Sequence, residues 1–289
     1  MRNEEIVLKQ VVSWAQLKKN IRSVVITSSR ANPKASVDIL SDYDIELVVT
    51  RLHDFDKNEK WVFHFGDVIA DINERNSKSL TRLVLYSDGV RIDFQIYTVS
   101  EFNRRTENAS IPAHWDIGYK VLLDKDQLMT ARAQPSYTKF NIKQPSEKEF
   151  ALLLKDFWWD TTYVSKSLWR DEIFYAKYIF DSLLRSKYLL KILEWHIGLH
   201  HNWSVNTNKN GRCLKRYLDK ETWAQVEKTF VDGDVEKNRE ALYSIIHLFS
   251  TLAKEVAKQL NYEYPFNLEK NVIEYLKKID DTEKMPADF

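Results

Sequence analysis

Asp42 and Asp44 flank Tyr43 at the head of an apolar run that continues Ile45-Glu46-Leu47-Val48-Val49. A third aspartate, Asp93, sits inside a second such run, Val90-Arg91-Ile92-Asp93-Phe94-Gln95-Ile96. Side chains on a strand alternate faces, so Asp42 and Asp44 project one way while Tyr43, Ile45, Leu47 and Val49 project the other. In the second run Val90, Ile92, Phe94 and Ile96 form the apolar set and Asp93 lies opposite. Hard cations such as Mg²⁺ take carboxylate oxygens in this arrangement and share their remaining positions with phosphate oxygens and water. Three carboxylates converging without a cation would raise one another's pKa, so a Mg²⁺ site explains them better than a structural role. A site with two metals and three carboxylates suits in-line displacement at phosphorus, one ion activating the attacking hydroxyl and the other stabilising the leaving oxygens.

Upstream of Asp42, the run Val24-Val25-Ile26 ends in Ser28-Ser29-Arg30-Ala31-Asn32-Pro33, a turn carrying two hydroxyls and a positive charge. Backbone N–H groups, hydroxyls and a cation are what a triphosphate needs. In this reading Asp42 and Asp44 bridge the ions and the nucleotide phosphates, and Asp93 completes the site nearest the acceptor and assists in taking its proton. Ser29 and the local backbone hold the outer phosphates, and Arg30 neutralises pyrophosphate as it leaves.

These residues need a sheet to position them. The pattern predicts a helix over 4–19, strands at Ser23–Thr27 and Asp42–Thr50, a helix over 58–73 and two strands, Leu80–Tyr86 and Val90–Val99. Ser87-Asp88-Gly89 joins the last two, and Asp-Gly is a strong hairpin signal. That hairpin can lay the Asp93 strand beside the Asp42 strand. A last strand is expected at Tyr119–Leu123. A polar connector starting at Gln134-Pro135 runs to Pro145, after which the pattern turns helical. Ser146 with Glu149 three residues later reads as a capping box. It opens a helix to about Leu168, followed by one over 171–200 and further helices near 219–230, 235–261 and 267–279. The fold class is therefore α+β: a mixed β-sheet with helices over 1–135, then an all-α helical bundle over 136–289. The tail from Asp280 to Phe289 is expected to be mobile.

With 289 residues, each half is large enough for its own core. Forty-three basic and 42 acidic residues leave a net charge of +1, which argues against a partner such as the DNA or RNA backbone. A single cysteine, Cys213, permits no internal disulfide and suits a reducing cytoplasm. No signal peptide is visible, and no run approaches the ~20 apolar residues of a membrane span. Nothing in the composition fixes an oligomeric state.

Ser29, Asp42, Asp44 and Asp93 resemble the nucleotidyltransferase fold shared with DNA polymerase β. Ser28 through Pro33, together with Ser41-Asp42-Tyr43-Asp44-Ile45, more narrowly resembles the aminoglycoside 6-adenylyltransferases, the streptomycin-modifying resistance enzymes. The second half is similar as well, at Phe157-Trp158-Trp159, Thr162-Tyr163-Val164, Lys166, Trp195-His196-Ile197-Gly198 and Leu260-Asn261-Tyr262. The likeness spans residues 20 to about 280. It implies transfer of AMP from ATP to an aminoglycoside hydroxyl with Mg²⁺, releasing pyrophosphate. One departure stands out: the family usually has glycine where this chain has Ser28. Serine there either weakens nucleotide binding or is accommodated with negative φ.

Within the matched segment, Lys166 is the lysine expected at the triphosphate. For a polycationic sugar, the acidic candidates are Asp160, Asp171 and Glu172, with Trp158, Trp159 and Tyr163 available to stack on sugar or adenine. A different acceptor, such as a lincosamide or a protein hydroxyl, remains open, as does a module that binds without turnover. His196 and His200 stand four apart, as zinc ligands on a helix do. With no acidic motif or cysteine nearby in sequence, a structural or interface role is preferred.

Overall fold

A computed structural model describes residues 1–56, 59–107, 110–130 and 132–283. The chain divides into two compact units, Met1–Lys139 and Phe140–Phe289.

The first unit is built on one mixed sheet. Its strands are β1 (Ile21–Thr27), β2 (Tyr43–Val49), β3 (Val68–Arg75), β4 (Ser79–Tyr86), β5 (Arg91–Thr98) and β6 (Tyr119–Asp124). The order across the sheet is β3-β4-β5-β2-β1-β6. Only β2 and β5 run parallel; the other neighbours are antiparallel. One face carries Tyr43, Ile45, Leu47, Val49, Ile92, Phe94 and Ile96, the predicted apolar set. Helix α1 (Glu4–Leu17) covers it through Val7, Val11, Trp14 and Ala15. Each large apolar side chain buried this way is worth about 1.5–3 kcal/mol. The opposite face has a smaller core of Val25, Val48, Tyr97, Phe102 and Trp115. After a one-turn helix α2 (His53–Asp56), Phe102 comes from α3 (Val99–Arg105), and Trp115 from a short 3₁₀ turn, Ala113–Ile117.

The hairpin at Ser87-Asp88-Gly89 forms as expected, with Gly89 N–H donating to the Tyr86 carbonyl at 2.8 Å. The helix expected over 58–73 does not; residues 57 and 58 lie outside the described residues. Glu59–Phe65 is a 3₁₀ segment, and Val68–Arg75 is the edge strand β3. The apolar residues Trp61, Val62, Phe65, Val68, Ile69 and Ile72 fall at helical spacing, but Gly66 at φ +141° breaks the run between Phe65 and Val68. A side chain at Gly66 would meet the Tyr86 ring at 3.2 Å. Beyond it, β-branched Val68, Ile69 and Ile72 favour extended backbone, and Ile69 and Ile72 face solvent.

The second unit is helical, with no strand among its described residues. The helices are α4 (Glu147–Trp169), α5 (Ile173–Tyr178), α6 (Leu190–His200), α7 (Lys220–Glu227), α8 (Val235–Leu260) and α9 (Phe266–Asp280). The capping box at Ser146 and Glu149 is formed. The long helix predicted over 171–200 starts at Ile173 and passes through a π-helical stretch, Ile179–Leu189, between α5 and α6. Several sequence-motif residues prove to be packing residues. Phe157 stacks on Phe249 with centroids 3.6 Å apart. Asn261 takes the left-handed conformation that ends α8, and the Tyr262 hydroxyl donates to the Pro145 carbonyl at 2.8 Å. The tail expectation is corrected at its start. Asp280 accepts from Arg239 and from the Tyr243 hydroxyl, and the Trp169 indole donates to the Thr282 carbonyl. Residues 284–289 lie outside the described residues.

Candidate active site

Because β2 and β5 are parallel neighbours, Asp44 is the register partner of Asp93. Adjacent strands lie about 4.8 Å apart, so the two carboxylates share one face as near neighbours. Asp44 is half-buried. Burial pushes its carboxyl up to about 6, and the charge of Asp93 pushes the same way; a Ser28 hydrogen bond opposes them, Asp42 adds to the rise and Arg91 offsets it. Asp93 accepts two hydrogen bonds from Arg91, at 2.8 and 2.7 Å, and the far side of the same guanidinium stands 3.7 Å from Asp42.

Arg91 therefore spans Asp93 and Asp42 as the cation among the three carboxylates. The three aspartates do not form one tight ring; among the described residues the ligand set with all atoms within 4.8 Å is His196, His200 and Glu255. The donors nevertheless fit a hard divalent ion. All are carboxylates, Asp44 is held in a site unfavourable to its own charge, and an arginine already occupies the cationic role. The sequence reading overlooked Arg91, although it stands two residues before Asp93 on β5 and so faces the same side.

The serine turn is a short 3₁₀ segment, Ser28–Ala31, between β1 and the loop to β2. Ser28 takes φ +62°, the conformation glycine would take, so the expectation of negative φ is corrected. For a residue with a Cβ this costs roughly 1–2 kcal/mol, and its hydrogen bond to Asp44 is an offsetting interaction. The Ser28 N–H donates to the Gly118 carbonyl at 3.0 Å. Gly118, at φ +149°, lies against the turn so closely that a Cβ would come within 2.9 Å of the Ala31 and Asn32 backbone. Ser29 is half-buried in the same turn.

Arg30 does not point at a nucleotide. Its side chain is 5% exposed and forms an ion pair with Glu4 at 2.7 Å. It donates to the carbonyls of Ser41 at 2.6 Å and Asp42 at 3.1 Å, and lies over the Tyr43 ring at 3.8 Å. Its guanidinium is spent on holding the loop that presents Asp42, which corrects its assignment to leaving pyrophosphate. A second residue escaped the sequence reading. Glu46, two residues after Asp44 and on the same face, is buried and accepts from the Tyr97 hydroxyl, from the Trp115 indole at 2.8 Å and pairs with His114 at 2.6 Å. Such satisfaction is what a buried carboxylate requires. It ties the second face of the sheet together beneath the aspartates.

In the second unit, Trp158 is fully buried among helices. A ring with no accessible face cannot stack on a sugar, so its expected acceptor role is corrected to packing. Trp159, 63% exposed, Tyr163 and Lys166 instead line one side of α4. The Trp159 indole donates to the Tyr163 hydroxyl at 3.2 Å, and the Lys166 ammonium lies 4.7 Å above the Tyr163 ring. Asp160 accepts from the Tyr188 hydroxyl at 2.7 Å. Glu172 is exposed at the start of α5, beside Asp171 and the exposed rings of Phe174 and Tyr175.

A mixed sheet that pairs Asp44 with Asp93, followed by a helical unit, is the architecture of a nucleotidyltransferase, and the chain is an enzyme of that class. The family model for streptomycin adenylyltransferase matches residues 1–279, and the chain belongs to that family. It is 30% identical over 277 residues to an aminoglycoside 6-adenylyltransferase of Campylobacter jejuni, covering 93% of each chain. An aminoglycoside 6-adenylyltransferase of Staphylococcus aureus is 27% identical, with 96% of this chain and 98% of that one covered. Among solved structures, an aminoglycoside 6-adenyltransferase from Bacillus subtilis matches with a TM-score of 0.48 and 24% identity. That match covers 98% of this chain and 100% of the other. No helix among the described residues is long and apolar enough to cross a membrane.

Proposed function

We propose that the chain transfers AMP from Mg-ATP to a hydroxyl of an aminoglycoside, streptomycin or a close relative, and so confers resistance in the cytoplasm. The observation that carries this reading is the register pairing of Asp44 with Asp93, in a chain whose full-length relatives bear the name of that reaction. Asp42, Asp44 and Asp93 would hold Mg²⁺. When bound, the ion supplies charge neutralisation for the triphosphate and lowers the pKa of the attacking hydroxyl.

The remaining work belongs to the chain. The acceptor oxygen forms a bond to the α-phosphorus, the bond to the pyrophosphate oxygen breaks, and the acceptor proton passes to a base, Asp93 being the candidate. Ser29 is proposed for the triphosphate side, while Ser28, whose N–H goes to the Gly118 carbonyl and whose side chain bonds to Asp44, holds the turn against the carboxylates. Arg91, rather than Arg30, is the cation nearest the carboxylates and is assigned the countercharge role. Positioning and fixed charge dominate such transfers. Lys166 is proposed for the triphosphate, and Trp159, Tyr163, Asp160 and Glu172 for the acceptor, whose ammonium groups suit carboxylates and π faces.

The test is direct. Purified protein with ATP, Mg²⁺ and a panel of aminoglycosides and lincosamides is analysed by mass spectrometry. One AMP added to streptomycin, with pyrophosphate released, is expected. AMP on a lincosamide with streptomycin untouched would replace the acceptor assignment. Mg-ATP binding without pyrophosphate release for any acceptor would replace turnover with binding alone.

A further inference from the structure

The second unit contains a ligand set outside the residues assigned to the transfer reaction. His196 and His200 stand four apart on α6 and so share one helix face, and α8, which packs against α6, places Glu255 opposite them. His196 Nδ1 lies 3.0 Å from one Glu255 oxygen and His200 Nε2 lies 2.8 Å from the other. The two imidazole centroids are 4.6 Å apart. One nitrogen from each ring and one carboxylate oxygen all lie within 4.8 Å of one another.

A plain hydrogen-bonded staple does not account for all of this. His196 is 13% exposed, and its buried Nδ1 stands 3.0 Å from a Glu255 oxygen without a well-formed hydrogen bond. A buried nitrogen left so costs about 1–3 kcal/mol. Around a tetrahedral ion with bonds of about 2.0–2.2 Å, ligand atoms stand roughly 3.3–3.6 Å apart, so the existing contacts at 2.8 and 3.0 Å need open by less than about 1 Å. Asp219, the N-cap of α7, adds a second negative charge acting on His196. His200 is 56% exposed, which gives an ion access and leaves room for water in the remaining position.

We propose that His196, His200 and Glu255 form a binding site for a borderline divalent transition metal of the Zn²⁺ type, joining α6 to α8. Two imidazoles and one carboxylate select such ions over Mg²⁺, which prefers oxygen ligands alone. The site is thereby separated by ligand chemistry from the aspartates of the first unit.

The experiment uses the untagged full-length chain, stripped with EDTA and then titrated with ZnCl₂ in the presence of excess Mg²⁺. Calorimetry and metal analysis on the wild type, His200→Gln, Glu255→Gln and Asp44→Asn chains read the outcome. Expected are one Zn²⁺ per wild-type chain, a raised Tm, unchanged uptake in Asp44→Asn, and affinity at least about tenfold weaker in His200→Gln and Glu255→Gln. Losses of this order follow even from disturbing groups around metal ligands. Circular dichroism confirms that the partly exposed variants remain folded. No uptake by the wild type, equal uptake by all four chains, or loss of the ion to Mg²⁺ would overturn the proposal.

Discussion

Asp44 and Asp93 are neighbours because two strands run parallel in register, whereas His196, His200 and Glu255 are neighbours because two helices pack side by side. In the sheet, hydrogen-bonded backbone fixes the positions, and the carboxylates stand together although like charges repel. In the helices, side-chain packing fixes the positions, and imidazole nitrogens face a carboxylate rather than a like charge. Register is a rigid device: a one-residue slip would turn Asp93 to the apolar face. Helix packing is adjustable, and three side chains can move by tenths of an ångström around a guest. The contrast is that chemistry needing fixed like charges sits on paired strands, while complementary ligands need only helices in contact.

The strongest way to break this comparison is to remove charge at the paired position. Asp93→Asn should lower adenylyl transfer by about 10³-fold or more, as loss of a metal ligand or base does, while Tm in EDTA changes little because relief of the like charge beside Asp44 offsets the weakened bonds from Arg91. Pyrophosphate release and thermal melts read the two effects. Retained turnover would remove the strand pair from the chemistry.

Next in size, Trp158→Ala should cost about 3–5 kcal/mol in urea unfolding, since it opens a cavity in the helical core. Trp159→Ala should leave stability within about 0.5 kcal/mol and raise the acceptor KM. A reversed pattern would return Trp158 to the acceptor site.

Arg30 and Arg91 separate positioning from charge. Arg30→Met should destabilise the first unit by about 2 kcal/mol, through unpaired Glu4 and loss of bonds to the Asp42 loop. Arg91→Met should leave stability nearly unchanged with metal present and lower kcat. If Arg30→Met instead lowers kcat at full stability, the phosphate role returns to Arg30.

The smallest effect concerns the hairpin that sets the register of β5. Burial raises the pKa of Asp88, but the Arg2 ion pair and the backbone N–H groups of Arg2 and Val90 outweigh it and hold the carboxyl at about 2. A carboxyl depressed on folding stabilises the fold above its unfolded pKa, near 3.9, and loses that contribution as pH falls towards 2. Being partly exposed, it contributes under about 1 kcal/mol. Asp88→Asn should flatten the acid limb of the stability curve between pH 4 and 2 by about that amount, and urea titrations across this range measure it.

Alternation in two short runs was enough to put Asp44 and Asp93 opposite the apolar face and to find the Asp-Gly hairpin, because strand periodicity is a local property of the chain. The capping box and the helical second half were legible for the same reason. The 58–73 segment was not, since Trp61 through Ile72 repeat at helical spacing and Gly66 interrupts them through its positive φ beside the Tyr86 ring. Nor could sequence decide between a stacking and a packed Trp158, a choice made by the helices around it. Arg30 and Arg91 look alike in one dimension, both beside an aspartate segment. Only the folded chain commits the first to Glu4 and loop carbonyls and the second to Asp42 and Asp93. Glu255 lies 55 residues beyond His200, and no local pattern links them. Local sequence set which residues alternate, cap and turn; the tertiary structure decided which charges meet, because that depends on contacts between segments far apart in the chain.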